Sequence, residues 1–204
     1  MDNIFSSNPP GVTEKLRPKK IFVAGAGGLG SNVCLMLVRA GIGHIVVMDF
    51  DLVEASNLNR QQYFRDQIGM PKVIALKENI LRINPELKIN TIEQKLTADN
   101  CKELIPEKTD LIFECFDSAE AKAMLTSFAL SERSNIPVIA VSGVAGVGPC
   151  EDLKISRGPG KLYIVGDGTS EMNPETGTIS SRVTQVSAIQ AHIGIRLLLE
   201  LAVS

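Results

Sequence analysis

Gly25, Gly27 and Gly30 stand in the spacing G-x-G-x-x-G within the run GAGGLGS, and Asp49 follows 19 residues after Gly30. Glycines so spaced permit a tight turn, close approach of a ligand to the backbone and close packing of the following helix, whose amino end favours phosphate. A carboxylate about 20 residues further on is placed to bind ribose hydroxyls. Together they read as a nucleotide cradle. The motif by itself fits a dehydrogenase as well as other nucleotide chemistry, and the plainer reading is a glycine turn needed only for packing.

The next segment narrows the chemistry. Asp49 opens the run DFDLVEASNLNRQ, which carries Asp51, Asn57, Arg60 and Gln61, and Lys72 follows in GMPK. A solvated polar loop would explain the polarity but gives no role to Arg60 and Lys72. An NAD-binding dehydrogenase has little use for two cations beside its phosphate pocket. A triphosphate carries about four negative charges, so it calls for cations and usually Mg²⁺. Asp117 follows an apolar run, LIFECF, and can hold that metal. Two cations and a metal-binding carboxylate around a glycine turn describe nucleotidyl transfer.

Composition limits what else is possible. The 204 residues carry a net charge of −2, which argues against a dominant attraction to nucleic acid or to an anionic membrane. With 44% hydrophobic residues, the chain can bury a substantial core in one large domain. There is no apolar run of the ~18 residues expected of a membrane span, and no basic start followed by an apolar block, so a cytoplasmic protein is expected. Cys34, Cys101, Cys115 and Cys150 form no C-x-x-C pair, so zinc is not expected, and Cys34 and Cys115 read as small core residues. His44 and His192 read as structural.

The elements that must position these residues follow from periodicity. Residues 1–18 read as an N-terminal arm with a short helix near Glu14 to Leu16, and 19–204 as a single domain. Ile21 to Ala24 is a short apolar run suited to a buried parallel strand. The glycine turn, a helix from Ser31 to Ala40 stopped by Gly41, and a strand from His44 to Asp49 complete a βαβ unit. Residues 50–65 are too irregular for a defined element. Pro71 suits the first turn of a helix running to about Ile83. Further expected elements are a strand from Leu87 to Gln94, a short helix over 97–105, a strand from Asp110 to Phe116, a helix from Ser118 to Ser134 capped by Ser118, and a strand from Pro137 to Val141. Beyond Gly143 the pattern changes. Two short strands near 152–156 and 161–165 suggest an antiparallel extension, and a long helix from Ser180 to Val203 closes the chain, with Val183, Val186, Ile189, Ile193 and Leu197 on one face. The expected class is a Rossmann-like, doubly wound α/β fold, with ligands at the carboxyl ends of the strands where the strand order reverses.

GAGGLGS, DFDLVEASNLNRQ, the Lys72 of GMPK and the strand end at Asp117 together resemble the ThiF/MoeB/HesA family of ubiquitin-activating-enzyme-like adenylyltransferases. The resemblance runs from about residue 18 to the C-terminus. The small size, SNLNRQQYF and AEAKAML are most similar to short ThiF-type members. That implies ATP-dependent adenylation of the C-terminal Gly-Gly of a small β-grasp sulfur carrier, ThiS, for thiamine thiazole synthesis, by an enzyme that is commonly a homodimer. It implies that Gly28 and its neighbours lie against the α-phosphate and ribose, that Asp49 holds the ribose, and that Asn57, Arg60 and Gln61 approach the phosphates. Lys72 would bind phosphate and Asp117 would coordinate Mg²⁺. Asp51 is a weaker candidate, equally readable as a turn carboxylate facing solvent. Larger members carry paired C-x-x-C zinc ligands, which this chain lacks. Many use a cysteine in a glycine-rich crossover loop, for which Cys150 is the only counterpart, and many reach a neighbouring subunit's site with an N-terminal arginine, here Arg17. Ser118 stands where many relatives have Asn. A molybdopterin-type, cysteine-synthesis or other peptide acceptor remains open, as do two other classes, an NAD-binding oxidoreductase and a non-catalytic nucleotide-binding module.

Overall fold

A computed structural model describes residues 4–203. Its centre is a sheet of seven strands: β1 (Lys20–Ala24), β2 (His44–Met48), β3 (Lys88–Ile92), β4 (Leu111–Glu114), β5 (Val138–Val141), β6 (Lys154–Arg157) and β7 (Leu162–Gly166). The order is β3-β2-β1-β4-β5-β7-β6, and only the β6–β7 pair is antiparallel. The helices are α1 (Val12–Leu16), α2 (Gly28–Ala40), α3 (Lys72–Leu81), α4 (Cys101–Leu104), α5 (Ala119–Glu132) and α6 (Ser180–Leu198).

The apolar runs become central strands because both faces of the sheet are covered. Alternate residues go to opposite faces. Ile21, Val23, Ile45, Val47, Leu111, Phe113, Ile139 and Val141 pack with Leu37 of α2, Leu76 of α3 and Val186 of α6. Phe22, Ala24, Val46, Met48, Ile112, Val138 and Ala140 pack with Leu125 of α5 and Cys101 of α4. The chain runs outward from β1 through β2 to β3 and then crosses back to β4 on the other side of β1. Strand order therefore reverses between β1 and β4, and the glycine turn leaves β1 at that crevice.

Local signals set the helix ends. Gly41 closes α2 in the left-handed conformation, its N–H reaching Leu37 O and Val38 O. Ser118 caps α5, its hydroxyl accepting from Ala121 N at 3.2 Å. Leu16 of α1 is fully buried against the main core, so the end of the expected arm docks on the body.

Several boundaries differ from the sequence expectation. Pro71 precedes α3 as its N-cap instead of entering its first turn, and α3 ends at Leu81. Residues 50–65 do contain an element, a 3-10 turn at Ala55–Asn57, and a second follows at Arg65–Gln67. The expected helix at 97–105 shrinks to α4, four residues long. β7 continues the parallel sheet beside β5, so the antiparallel extension is β6 alone. α6 stops at Leu198, and the chain then turns back so that Val203 is buried and Arg196 donates to Ala202 O. The expected apolar face of α6 is interrupted by buried Arg182, Ser187 and Gln190; Ser187 donates back to Val183 O of its own helix, while Arg182 and Gln190 reach other segments.

Candidate active site

The glycine turn is built by close approach. Gly25 has φ +100, and a Cβ there would come within 2.8 Å of Cys115 O on the chain leaving β4. A Cβ on Gly30 would stand 1.8 Å from Gly25 O, so only glycine lets α2 begin this close to β1. Ser31 N bonds to Gly27 O. The N–H groups of Gly28, Leu29 and Gly30 precede that first helical bond and have no acceptor within the helix. No side chain caps α2 among the described residues. An uncapped helix start with two glycines in its first turn can accept an anion at backbone distance.

Asp49 secures the turn from the end of β2. One carboxylate oxygen accepts from Ala26 N at 2.7 Å and the other from Asp51 N at 2.9 Å. Burial pushes its carboxyl above the ordinary value, while those two N–H groups and the Lys72 charge pull it back. A carboxylate accepts up to about four hydrogen bonds, so two donors leave capacity for ribose hydroxyls.

The polar segment is stitched onto α2. Asn32 Nδ2 donates to Gly28 O at 2.7 Å and to Arg60 O at 3.1 Å, and its Oδ1 accepts from Gln62 Nε2 at 2.7 Å. Ser31 Oγ accepts from Gln62 N at 3.1 Å, and the buried Tyr63 hydroxyl donates to Ala26 O at 2.6 Å. Arg60 and Gln61 are thereby carried to the glycines. A Cβ on Gly28 would lie 3.6 Å from Arg60 Cγ, and one on Gly27 3.8 Å from Gln61 Nε2. The Arg60 guanidinium donates through Nη1 to Ser56 O at 3.1 Å and Asn59 Oδ1 at 2.8 Å. The buried Gln61 Oε1 has no hydrogen-bond partner among the described residues.

Lys72, at the start of α3, holds Asp51 through an ion pair of 2.7 Å, and Lys72 N also bonds to Asp51 O. The Lys72 ammonium is thus held within electrostatic reach of Asp49. Asn57 sits differently. It is buried, and its Oδ1 accepts from Glu54 N at 3.0 Å to close the 3-10 turn, so its amide oxygen is engaged in the local fold. Asp117 is exposed, three residues beyond β4, at the other wall of the crevice.

The structure therefore gathers Gly25, Gly27, Gly28, Gly30, Asp49, Asp51, Arg60, Gln61 and Lys72 around the start of α2, with Asp117 on the neighbouring strand end. Two expected accessories stand apart. The Arg17 carbonyl packs against Gly43, just before β2, at the amino ends of the parallel strands, opposite the glycine turn. Cys150 is exposed on a 3-10 turn before β6, where Gln185 Nε2 donates to its Sγ at 3.1 Å.

A model of the ThiF family matches residues 3–203. The chain belongs to that family. It is 36% identical over 133 residues to a molybdopterin-synthase adenylyltransferase of Haemophilus influenzae, covering 65% of this chain and 53% of the relative. It is 34% identical over 144 residues to the adenylyltransferase and sulfurtransferase UBA4 of Yarrowia lipolytica, covering 71% of this chain and 36% of the relative. The chain thus spans about half or less of the length of these curated relatives. Among solved structures, Escherichia coli tRNA N6-threonylcarbamoyladenosine dehydratase in complex with ATP superposes with a TM-score of 0.86 at 21% identity, covering 97% of this chain and 92% of that one. Escherichia coli MccB with ATP gives 0.74 at 22%, covering 98% of this chain and 65% of that one. At these identities the two structures establish the fold, which is that of this ThiF-family chain.

Two buried charged pairs flank the crevice and were not singled out from the sequence. Glu114, at the last position of β4, is fully buried and pairs with Lys122 of α5 at 3.1 Å. Burial pushes its carboxyl up, against the pull of the Lys122 ammonium and the N–H groups of Phe116 and Val141. The signal was available: a glutamate inside the apolar run LIFECF has to find a partner. Arg182, in the first turn of α6, pairs with Asp167 at 2.6 Å and donates to Gly148 O at 2.7 Å and Pro149 O at 3.2 Å. Burial would raise the Asp167 carboxyl, but N–H donors from Ser170 and Thr169 and the Arg182 guanidinium outweigh it and hold it well below the usual carboxylate range. This pair ties the glycine-rich loop 142–149 to the turn after β7. Gly146 N in turn bonds to Gly177 O, and Asn59 Nδ2 reaches Thr178 O at 3.2 Å, beside Arg60. No sequence spacing announces this contact, because its partners come from three separate segments.

Proposed function

We propose that this chain is a nucleotidyltransferase that uses ATP to adenylate the C-terminal Gly-Gly carboxylate of a small β-grasp sulfur carrier, releasing pyrophosphate. The observation that carries the reading is the position of Arg60, whose stem lies across Gly28 at the uncapped start of α2, with Lys72 held near Asp49. A dehydrogenase cradle has no need of these cations. Membership of the ThiF family and the 36% identical molybdopterin-synthase adenylyltransferase support the same class.

In this reading the start of α2 binds phosphate, Asp49 takes the ribose hydroxyls, and Arg60 and Lys72 offset the negative charge that gathers as the α-phosphorus is attacked. A peptide α-carboxylate has a pKa of ~3.5 and is ionised at neutral pH, so no base is required. A carboxylate oxygen forms a bond to the α-phosphorus. The bond to the oxygen bridging the α- and β-phosphates breaks, and pyrophosphate leaves with its electron pair. This accounts for a crevice without a histidine among the expected site residues. Mg²⁺ usually keeps several waters and binds one or two carboxylates plus substrate phosphates. Asp117, exposed three residues beyond β4, would supply one such carboxylate, and among the described residues no group of three His, Cys, Asp or Glu forms an all-protein cage. Bound there, the ion would screen the phosphate charges.

A ThiS-like carrier of thiamine thiazole synthesis is the first candidate acceptor. A molybdopterin-type carrier is the second, favoured by the identity to the Haemophilus influenzae relative. The test is pyrophosphate–ATP exchange with each Gly-Gly-ended carrier and Mg²⁺. Exchange is expected with one carrier and lost in Arg60→Ala, by roughly 10²–10³-fold for a removed charge donor. Reduction of NAD⁺ by a small metabolite, with no exchange, would overturn the proposal.

A further inference from the structure

The end of β4 carries a staple whose geometry bears on Asp117. Glu114 Oε1 accepts from Phe116 N at 2.7 Å, which folds the chain back over the strand end one residue before Asp117. Its Oε2 accepts from Val141 N at 3.4 Å, a long contact to the end of β5. Lys122 Nζ donates to both carboxylate oxygens at 3.2 and 3.1 Å. Lys122 N bonds to Ser118 O, and Ser118 Oγ caps the same helix turn. Residues 114 to 122 thus close a ring with Asp117 at its exposed rim. From the other face, Gln190 of α6 donates to Glu114 O at 3.3 Å and to Ile139 O at 3.3 Å, tying the backbone at this point to β5.

A buried carboxylate on a central strand is expensive, and an apolar side chain of similar size would pack there at less cost. Stability therefore does not explain Glu114. Its hydrogen bonds do something an apolar residue cannot: they set the direction in which the chain leaves β4.

Resting on the proposed adenylation, we propose that Glu114 and Lys122 are positioning residues that fix the backbone turn carrying Asp117 and thereby set the affinity of the site for a divalent cation. In this reading neither touches the nucleotide. They act through the backbone turn and not on the Asp117 carboxylate itself; loss of a group that orients a metal ligand typically weakens metal binding or activity by about 10–100-fold.

The probe is Mn²⁺, followed by electron paramagnetic resonance, titrated into protein held in excess over an ATP analogue with a methylene bridge between the α- and β-phosphates. The variants are Glu114→Gln and Lys122→Gln, beside Asp117→Asn. Both staple variants are expected to weaken Mn²⁺ binding by about tenfold or more, while analogue affinity without metal changes less than about twofold. The Mg²⁺ concentration for half-maximal exchange should rise in parallel. A purely structural role would lower Tm and the active fraction but leave both metal midpoints at the wild-type value, and that result overturns the inference. Lys122 is partly exposed, so Lys122→Gln serves if Glu114→Gln does not fold. If wild-type protein binds Mn²⁺ with the analogue but shows no exchange with any carrier, the adenylation reading fails and the staple is still judged on Mn²⁺ alone.

Discussion

Lys72 Nζ lies 2.7 Å from Asp51 Oδ2, and the lysine is the buried partner, 8% exposed against 49% for the aspartate. The ammonium therefore does not swing in solvent. It is held at the start of α3 by a carboxylate from the segment that follows β2, facing the same crevice as Asp49. A half-exposed partner makes this closer to a surface pair than to a buried one, worth about 0–1 kcal/mol. The pair is better understood as placement than as stabilisation.

Removing the two partners should thus have unequal effects. Lys72→Ala is expected to reduce kcat/KM for exchange by roughly 10²–10³-fold, the range seen when one transition-state charge donor is lost. Asp51→Asn should lower stability by no more than about 1 kcal/mol and cost far less activity than Lys72→Ala. Denaturant unfolding and exchange kinetics of both variants check this. Equal losses would mean that Asp51 is needed for exchange as much as Lys72, and that the pair is more than placement.

The glycines separate folding from binding. Gly30→Ala brings a Cβ to 1.8 Å from Gly25 O and is expected to cost about 3 kcal/mol or more through overpacking. Gly27→Ala meets only Gln61 Nε2 at 3.8 Å, so the fold should tolerate it. A well-folded Gly27→Ala that has lost ATP would show that the turn's space is kept for the ligand. Melting temperature and analogue titration read the two effects separately.

The Arg182–Asp167 pair should appear in the acid limb of stability. Asp167 has a depressed folded pKa, so its contribution is fully present above its unfolded value, about pH 4, and is lost as pH falls further toward the folded pKa. Wild-type Tm should fall more steeply below about pH 4 than that of Asp167→Asn, and the two slopes should match above it. Arg182→Ala strands the carboxylate and is expected to cost about 3–5 kcal/mol, as for other broken buried pairs.

Nucleotide identity has a thermal signature. A ligand that binds only the folded state at a hundred times its Kd stabilises by about 2.7 kcal/mol. ATP is expected to raise Tm in this way and NAD⁺ is not. A larger rise with NAD⁺ than with ATP would return the chain to the dehydrogenase reading.

Much of the candidate site was legible because the chemistry expected of it is local. Glycines that must approach backbone at Gly25 and Gly30, an aspartate at the close of β2, a cation in the polar run at Arg60 and a second at Lys72 are all marked by residue type and spacing. The same holds for the cap at Ser118 and the stop at Gly41. Glu114 and Arg182 were passed over because each sits within a pattern that reads as apolar, a strand in one case and a helix face in the other. Periodicity reports the majority of a face and hides its single charged member.

The sequence by itself determined the alternation of strands and helices, the glycine turn and the family, since hydrophobic period and short motifs are properties of neighbouring residues. Only the tertiary structure decided that Arg60 lies across Gly28, that Lys72 is fastened to Asp51, and that loops 142–149 and 166–178 are clasped beside them. Those contacts join segments far apart in the chain. They exist because the reversal of strand order between β1 and β4 brings the carboxyl ends of β1, β2 and β4 to one crevice, where α6 can reach them.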